Sequence, residues 1–493
     1  MNKQKTIQTF LFSFLIVFLA PFTGVQAKTK KAEVKLNFRE DGTYKIVQFT
    51  DIHWEPGMPA NGLTLQTMSV ILDKEKPDLV VLTGDIVTAG DPVRGWKEVI
   101  QPMVDRKLAW ISTYGNHDSE GDTPRSEINE IVESLPYNIN KEVPGLSGEG
   151  NFSLPVYTKD QSIGSVLYFF DSHAYCSSYM PGSYNWVKTD QIEWYRKQSD
   201  EYRKLHSDLP VPSYAFLHIP LMEYREVAKS SELLGHKGEG VASPELNSGL
   251  FAAFVEQQDV IGTFCGHDHN NDYVGVYQDV ALAYGRCTGT YAYGDLRNGA
   301  RVIELHANDF HFKSWISTPR EEDLFFVYPN DGNQQALEEA PLPAIELDKA
   351  TLKQGLEYRY YEGPVETVNE IEKLPLIETG TTNNFSLEKA KQKDHFAFKF
   401  EGYIEVPETQ TYRFYLLSDD GATLSIDDQL IVDNDGGHSA RLRKGAANLS
   451  KGFHKITLLY FEDYMGEELE VGLSSLRIRQ GDLSDTMLYY SPK

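Results

Sequence analysis

The residues able to do chemistry stand in short groups: Asp51-Ile52-His53, Gly84-Asp85, Gly115-Asn116-His117-Asp118, a single His218, and Gly266-His267-Asp268-His269. Each group closes an apolar run, in turn Tyr44 to Thr50, Leu79 to Thr83, Leu108 to Tyr114, Tyr214 to Leu217 and Val260 to Cys265. Such runs read as buried strands, and the residues just after them fall on the rim where open α/β sheets place their sites. One polar tetrapeptide after a strand reads equally well as a turn, and any one of these histidines as a satisfied core or rim residue. Five strand ends that all finish in nitrogen and oxygen donors point instead to one shared centre. Asp51, His53, Asp85, Asn116, His218, His267 and His269 are too many donors for one small cation and suit two. A carboxylate at Asp85 can bridge the pair, about 3.5–4 Å apart, as in in-line displacement at phosphorus. Imidazole and carboxylate without thiolate favour Mn, Fe or Zn over copper, calcium or a structural zinc. Within Asn116-His117-Asp118 the three side chains read as ligand, proton donor and the donor's orienter.

The elements that must position these groups alternate. From Lys45 to about Ser317, strand-like runs interleave with helical spacing at Leu63 to Glu75, Asp190 to Lys204 and Ser248 to Gln257, with Asn247-Ser248 as the cap of the last. That alternation predicts a layered α/β domain over 40–317. Residues 318–350 are acidic, Pro-rich and aperiodic and read as a linker, laid against the first domain through Leu324-Phe325-Phe326. Over 351–493 short alternating runs, such as Phe396 to Phe400 and Tyr412 to Leu416, are separated by Asp-Gly and Lys-Gly turns, the pattern of an antiparallel β-sandwich.

The chain opens with Lys3 and Lys5, an apolar core from Phe10 to Ala20, and Val25-Gln26-Ala27, which together predict a signal peptide over 1–27 and an exported, periplasmic or extracellular protein. The apolar run is short for a membrane span and no second one follows. Removing 1–27 takes away Lys3 and Lys5 and no acid, which moves the formal charge from −25 to −27. So acidic a chain repels polyanions, which excludes nucleic acid as the main partner. Cys176, Cys265 and Cys287 lack both disulfide-framework and CxxC spacing.

The ordered groups from Asp51 to His269 resemble the calcineurin-like metallophosphoesterase superfamily. Phe216 to Leu221, Asn247 to Phe251 and Tyr284 to Asp295 resemble its branch related to purple acid phosphatases. The resemblance implies a four-layer α/β/β/α domain. It further implies that Asp51, His53 and His269 bind one divalent or mixed-valence metal, and Asn116, His218 and His267 the other, with Asp85 shared. His117 then serves the leaving oxygen and Asp118 orients it. Purple enzymes carry a tyrosine ligand three residues after the bridging Asp; here that position is Thr88, so their ferric charge-transfer colour is not expected.

The C-terminal domain resembles the protective-antigen-type sandwich through Gly355 to Tyr361, Gly402-Tyr403-Ile404, Tyr412 to Gly421, Asp433 to His438 and Gly452 to Ile456. In sugar-binding relatives two adjacent Asp residues joined by a cis peptide hold calcium, and Asp419-Asp420 occupy that place; the same pair also reads as an ordinary Asp-Gly hairpin turn. Arg286, and behind it Arg125, are candidates to clamp a phosphate, while Asp171 and His173 are expected near the same rim. The reading is an exported phosphoesterase that attacks phosphate monoesters with a metal-bound hydroxide and carries an accessory domain for glycan or cell-wall material. Phosphodiesters, of cyclic-nucleotide or nucleotide-sugar type, are the alternative, and a non-catalytic surface glycan binder the competing class.

Overall fold

Strand Thr43–Phe49 turns Tyr44 and Ile46 to one face and Val47 and Phe49 to the other, and both faces are buried. A strand covered on both sides must be apolar throughout, which is why this segment reads as a continuous run. The computed structural model describes residues 34–177, 179–180, 182–230, 233–329, 340–475, 478 and 481–492; the expected signal peptide, 1–27, lies outside them.

Two sheets make up the first domain. One orders its strands Glu322–Tyr328, Phe312–Ser317, Ala300–His306, Thr43–Phe49, Leu79–Thr83 and Trp110–Thr113. The other runs Leu36–Asn37, Phe152–Tyr157, Ile163–Phe169, Ser213–Phe216, Val260–Cys265, Val280–Tyr284 and Val274–Tyr277. Their facing sides share one core, in which Ile46, Val81 and Ile111 meet Leu167, Phe216 and Phe264. Helices Asn61–Glu75, Pro92–Val99 and Arg125–Ser134 cover the outer face of the first sheet with Met68, Trp96 and Ile128. Helices Thr189–Leu205 and Leu250–Gln257 cover the second with Tyr195 and Phe254. The result is the expected α/β/β/α layering. Among the described residues no helix is long and apolar enough to cross a membrane.

Register is what assembles the site. Val47 pairs in parallel with Val80 and Val81 with Ile111, while Phe169 pairs with Phe216 and Phe216 with Phe264. Parallel neighbours end on the same edge, so the residues after Phe49, Thr83, Thr113, Phe216 and Cys265 emerge together.

Two expectations are corrected. The segment read as a linker is structured at both ends. Glu322–Tyr328 is an edge strand antiparallel to Phe312–Ser317, and it buries Phe326 and Tyr328 in the core between the sheets. Leu342 and Ile345 form backbone bridges to Leu449 and Phe453 of the C-terminal domain. The first domain therefore runs to Tyr328 rather than 317, and the middle of the expected linker, 330–339, lies outside the described residues. Charge and proline hid the strand because only alternate residues of an edge strand face inwards. The cap of helix Leu250–Gln257 is Gly249, at φ 83°, with Asn247 Oδ1 and Ser248 Oγ accepting from the amides of Gly249 and Leu250 just outside it.

The C-terminal domain pairs an eight-stranded sheet with a four-stranded one. Phe396, Phe398, Phe400 and Leu458 from the first pack against Tyr412, Phe414, Leu416 and Leu473 from the second, the predicted sandwich.

Candidate metal centre

At the shared edge two clusters form. Asp51, His53 and His269 offer ligand atoms all within 4.8 Å of one another, and so do Asp85, His218 and His267. Asp85 lies between them, its Oδ2 3.2 Å from His218 Nε2 and 3.7 Å from His53 Nε2, the position a bridging carboxylate requires. Asn116 is buried one residue along from Gly115, with Oδ1 unpartnered and Nδ2 donating to Tyr175 Oη at 2.8 Å.

The local backbone is bent to achieve this. Asp51, His53, Asp85 and His267 all sit at positive φ, between 47° and 80°, where side-chain-bearing residues are rare and are found at sites the surrounding structure over-determines. Asp118 supplies part of that restraint: its carboxylate accepts from the amides of Asp85, Ile86, Val87 and Gly115 at 2.7–3.2 Å. Space is the other part. A Cβ on Gly115 would stand 2.1 Å from Asp85 Oδ1, and one on Gly266 1.9 Å from Thr50 Oγ1.

The donor set fits cations. His218 Nδ1 donates to the Thr83 carbonyl at 2.7 Å and His269 Nδ1 to the Tyr293 carbonyl at 3.0 Å. Each tautomer is thereby set with its Nε2 lone pair aimed at a carboxylate, Asp85 for His218 and Asp51 Oδ1, 3.3 Å away, for His269. A lone pair facing an anion calls for positive charge between them, and carbonyl-anchored imidazoles are how metal sites are built. The electrostatics agree. Burial alone would lower His218, yet Asp85 facing it outweighs burial and pushes it up to about 9. Burial and the neighbouring His218 push His267 down to about 3. Burial would raise Asp85, but His218, His53 and His117 hold it below the usual carboxylate range. His53 Nε2 and His267 Nε2 are further buried atoms without a partner.

His117 borders the centre with Nε2 4.0 Å from Asp85 Oδ2, and its imidazole is 35% exposed. Its orienter is not Asp118, whose carboxylate is occupied by the four amides. It is Glu120, with Oε2 2.7 Å from His117 Nδ1 and Oε1 accepting from Tyr175 Oη at 2.7 Å. The 3-10 turn His117–Ser119 brings residues 117 and 120 onto one face, and the i,i+3 spacing of His117 and Glu120 is the trace of this in the sequence.

The arginines expected to clamp a phosphate are held by protein partners. Arg286 is buried against Asp272, which accepts from its Nε at 2.9 Å, and its Nη1 donates to the Arg297 carbonyl. Arg125 donates to Asp171 Oδ1 and to the Gly115 carbonyl, so Arg125 and Asp171 brace the loop that carries Asn116 and His117. His173 Nε2 meets Gln191 Oε1 at 2.9 Å. In the sandwich domain Asp419 and Asp420 are joined by a cis peptide and form with Glu462 a third cluster among the described residues, this one wholly acidic. Asp420 accepts from the amides of His438 and Asp463, and Asp419 from that of Ala440.

Comparison with known proteins agrees with both halves. Residues 44–271 match the model of the calcineurin-like phosphoesterase family, and residues 352–484 that of the PA14 domain. The chain is 31% identical over 317 residues to "Probable inactive purple acid phosphatase 29" of Arabidopsis thaliana, a match covering 57% of this chain and 81% of that protein. It is 30% identical over 355 residues to "Probable inactive purple acid phosphatase 14" of the same plant, covering 64% and 88%. To "Phosphatase DCR2" of Saccharomyces cerevisiae it is 31% identical over 354 residues, covering 63% and 60%.

Proposed function

The chain belongs to the calcineurin-like phosphoesterases, and from that premise we propose that it is an active, exported enzyme that hydrolyses phosphate monoesters at the centre of Asp51, His53, Asp85, Asn116, His218, His267 and His269. The observation that carries this is the pair of carbonyl-anchored imidazoles, His218 and His269, whose Nε2 atoms face carboxylates. Two plant relatives bear the word inactive in their names; in this chain every position of the centre holds a nitrogen or oxygen donor. Two transition metals held there, Mn, Fe or Zn, would supply Lewis acidity towards the phosphoryl oxygens and lower the pKa of the attacking water. The chain's own residues do the rest. His117 Nε2 delivers a proton to the leaving oxygen, Glu120 holds Nδ1 on the other side of the ring, and Tyr175 accepts from the Asn116 amide nitrogen, which leaves the amide oxygen available to hold a metal. Asp118 fixes the two loops to each other, which keeps Asp85 and Asn116 in register.

One observation favours phosphodiesters as a second reading: Arg125 and Arg286 are spent in ion pairs, so neither guanidinium is free for the third oxygen that only a monoester presents. For the sandwich domain we propose calcium-dependent binding of glycan or cell-wall material through Asp419 and Asp420, outside the cytoplasm. The test is metal analysis of the purified protein together with turnover of 4-nitrophenyl phosphate and bis(4-nitrophenyl) phosphate, for the wild type and Asp85→Ala. The expected result is two transition metals per chain and faster monoester turnover, with both metals and activity lost in Asp85→Ala. A diester preference selects the second reading. Protein that takes up no transition metal, or turns over neither ester, would leave the glycan-binding scaffold in its place.

A further inference from the structure

Three phenol rings from two separate loops stand against the imidazoles of the centre. Tyr184 sets its edge against His267, centroids 4.6 Å apart at 87°. Tyr293 stacks on His269 at 4.0 Å. Tyr175 stands edge-on to His117 at 6.4 Å and stacks on Tyr184 at 5.8 Å. Backbone pairing holds Tyr175 and Tyr184 side by side: the Cys176 amide donates to the Ser183 carbonyl at 3.0 Å and that of Asn185 to the Ala174 carbonyl at 2.9 Å.

Two of the three hydroxyls are committed to carboxylates. Tyr175 donates to Glu120 at 2.7 Å and Tyr293 to Glu239 at 3.0 Å. Glu239 is itself anchored, its Oε1 accepting from the Asn270 amide at 2.6 Å. With their hydroxyls tied back, Tyr175 and Tyr293 are still 45% and 57% exposed. Glu120 and Glu239 thus set a carboxylate behind two of the three rings. Ring faces attract another flat face by dispersion and by their quadrupole. Carboxylates behind the rings disfavour a second anion on the substrate.

Resting on the phosphoesterase reading, we propose that Tyr175, Tyr184 and Tyr293 form a leaving-group subsite that selects phosphate esters whose alcohol carries a ring, aromatic or sugar, and no second anionic group. Benzyl and ethyl phosphate release alcohols of similar acidity, so their kcat/KM ratio reports the subsite with the chemistry cancelled. The expected ratio is about tenfold in favour of benzyl phosphate, the scale of one well-packed ring. 4-Carboxybenzyl phosphate should fall severalfold below benzyl phosphate. Glucose 6-phosphate compared with ethyl phosphate tells whether a sugar ring is taken as well as an aromatic one. Tyr184→Ala and Tyr293→Ala should each lower the benzyl-to-ethyl ratio about threefold, while Tyr293→Phe, which keeps the ring, preserves it. A ratio is insensitive to partial loss of metal or of folded protein, and calorimetric binding of benzylphosphonate against ethylphosphonate gives the same comparison without turnover. A wild-type ratio near one for both the esters and the phosphonates, or a ratio unmoved in both alanine variants, overturns the subsite and leaves the phosphoesterase reading standing. Failure to bind either phosphonate and to turn over any ester overturns both.

Discussion

Replacing Glu120 by alanine separates what His117 does from what holds it in place. The substitution removes the acceptor 2.7 Å from His117 Nδ1 and the acceptor of Tyr175 Oη, while every atom of the two metal clusters stays. A hydrogen bond to a charged group contributes about 1.5–3 kcal/mol when well buried. Here the side chains are 35% and 42% exposed, so solvent screening reduces it to about 1–1.4 kcal/mol. At 1.36 kcal/mol per tenfold, that is about a five- to tenfold loss of rate. Removing the proton donor itself, in His117→Ala, should cost about 10²–10⁴-fold. The assay is kcat for ethyl phosphate, whose leaving alkoxide needs a proton, beside 4-nitrophenyl phosphate, whose leaving phenolate does not. Glu120→Ala should slow the first about five- to tenfold and the second much less. The double variant should be slower than His117→Ala by much less than the Glu120→Ala effect, because Glu120 acts mainly through that ring and only secondarily through Tyr175. Equal slowing on both esters, or a double variant slower by the full product of the single effects, would refute the positioning role.

Two further outcomes are expected. A fragment ending at Thr318 loses the edge strand Glu322–Tyr328 with buried Phe326 and Tyr328, so it should unfold at a markedly lower temperature than one ending at Pro329; equal melting temperatures would show that the strand is dispensable. Calcium should raise the melting temperature of the sandwich domain and its retention on polysaccharide, and a chelator or the pair Asp419→Ala and Asp420→Ala should remove both effects; retention unchanged in chelator would rule out a calcium site there.

The sequence by itself determined the strands buried on both faces and what each ends in, though not the edge strand Glu322–Tyr328. Apolar runs bounded by polar turns locate Thr43–Phe49, Leu79–Thr83 and Val260–Cys265 because burial on both faces leaves a purely local pattern. The donors at their ends are local too, and so is the resemblance that gathers them into one centre. Tertiary structure alone decided how the polar side chains pair. Tyr175 reaches Glu120 across 55 residues, and nothing in either neighbourhood announces it. Arg286 and a phosphate are chemically matched, but packing sets a buried carboxylate, Asp272, against the guanidinium first, and a buried charge takes the nearest partner. Asp118 stands beside His117 in the chain, yet the bend of the backbone turns its carboxylate to four amides and away from the ring. Hydrophobic period is written into a segment, whereas the partner of a charge is fixed only when the segments meet.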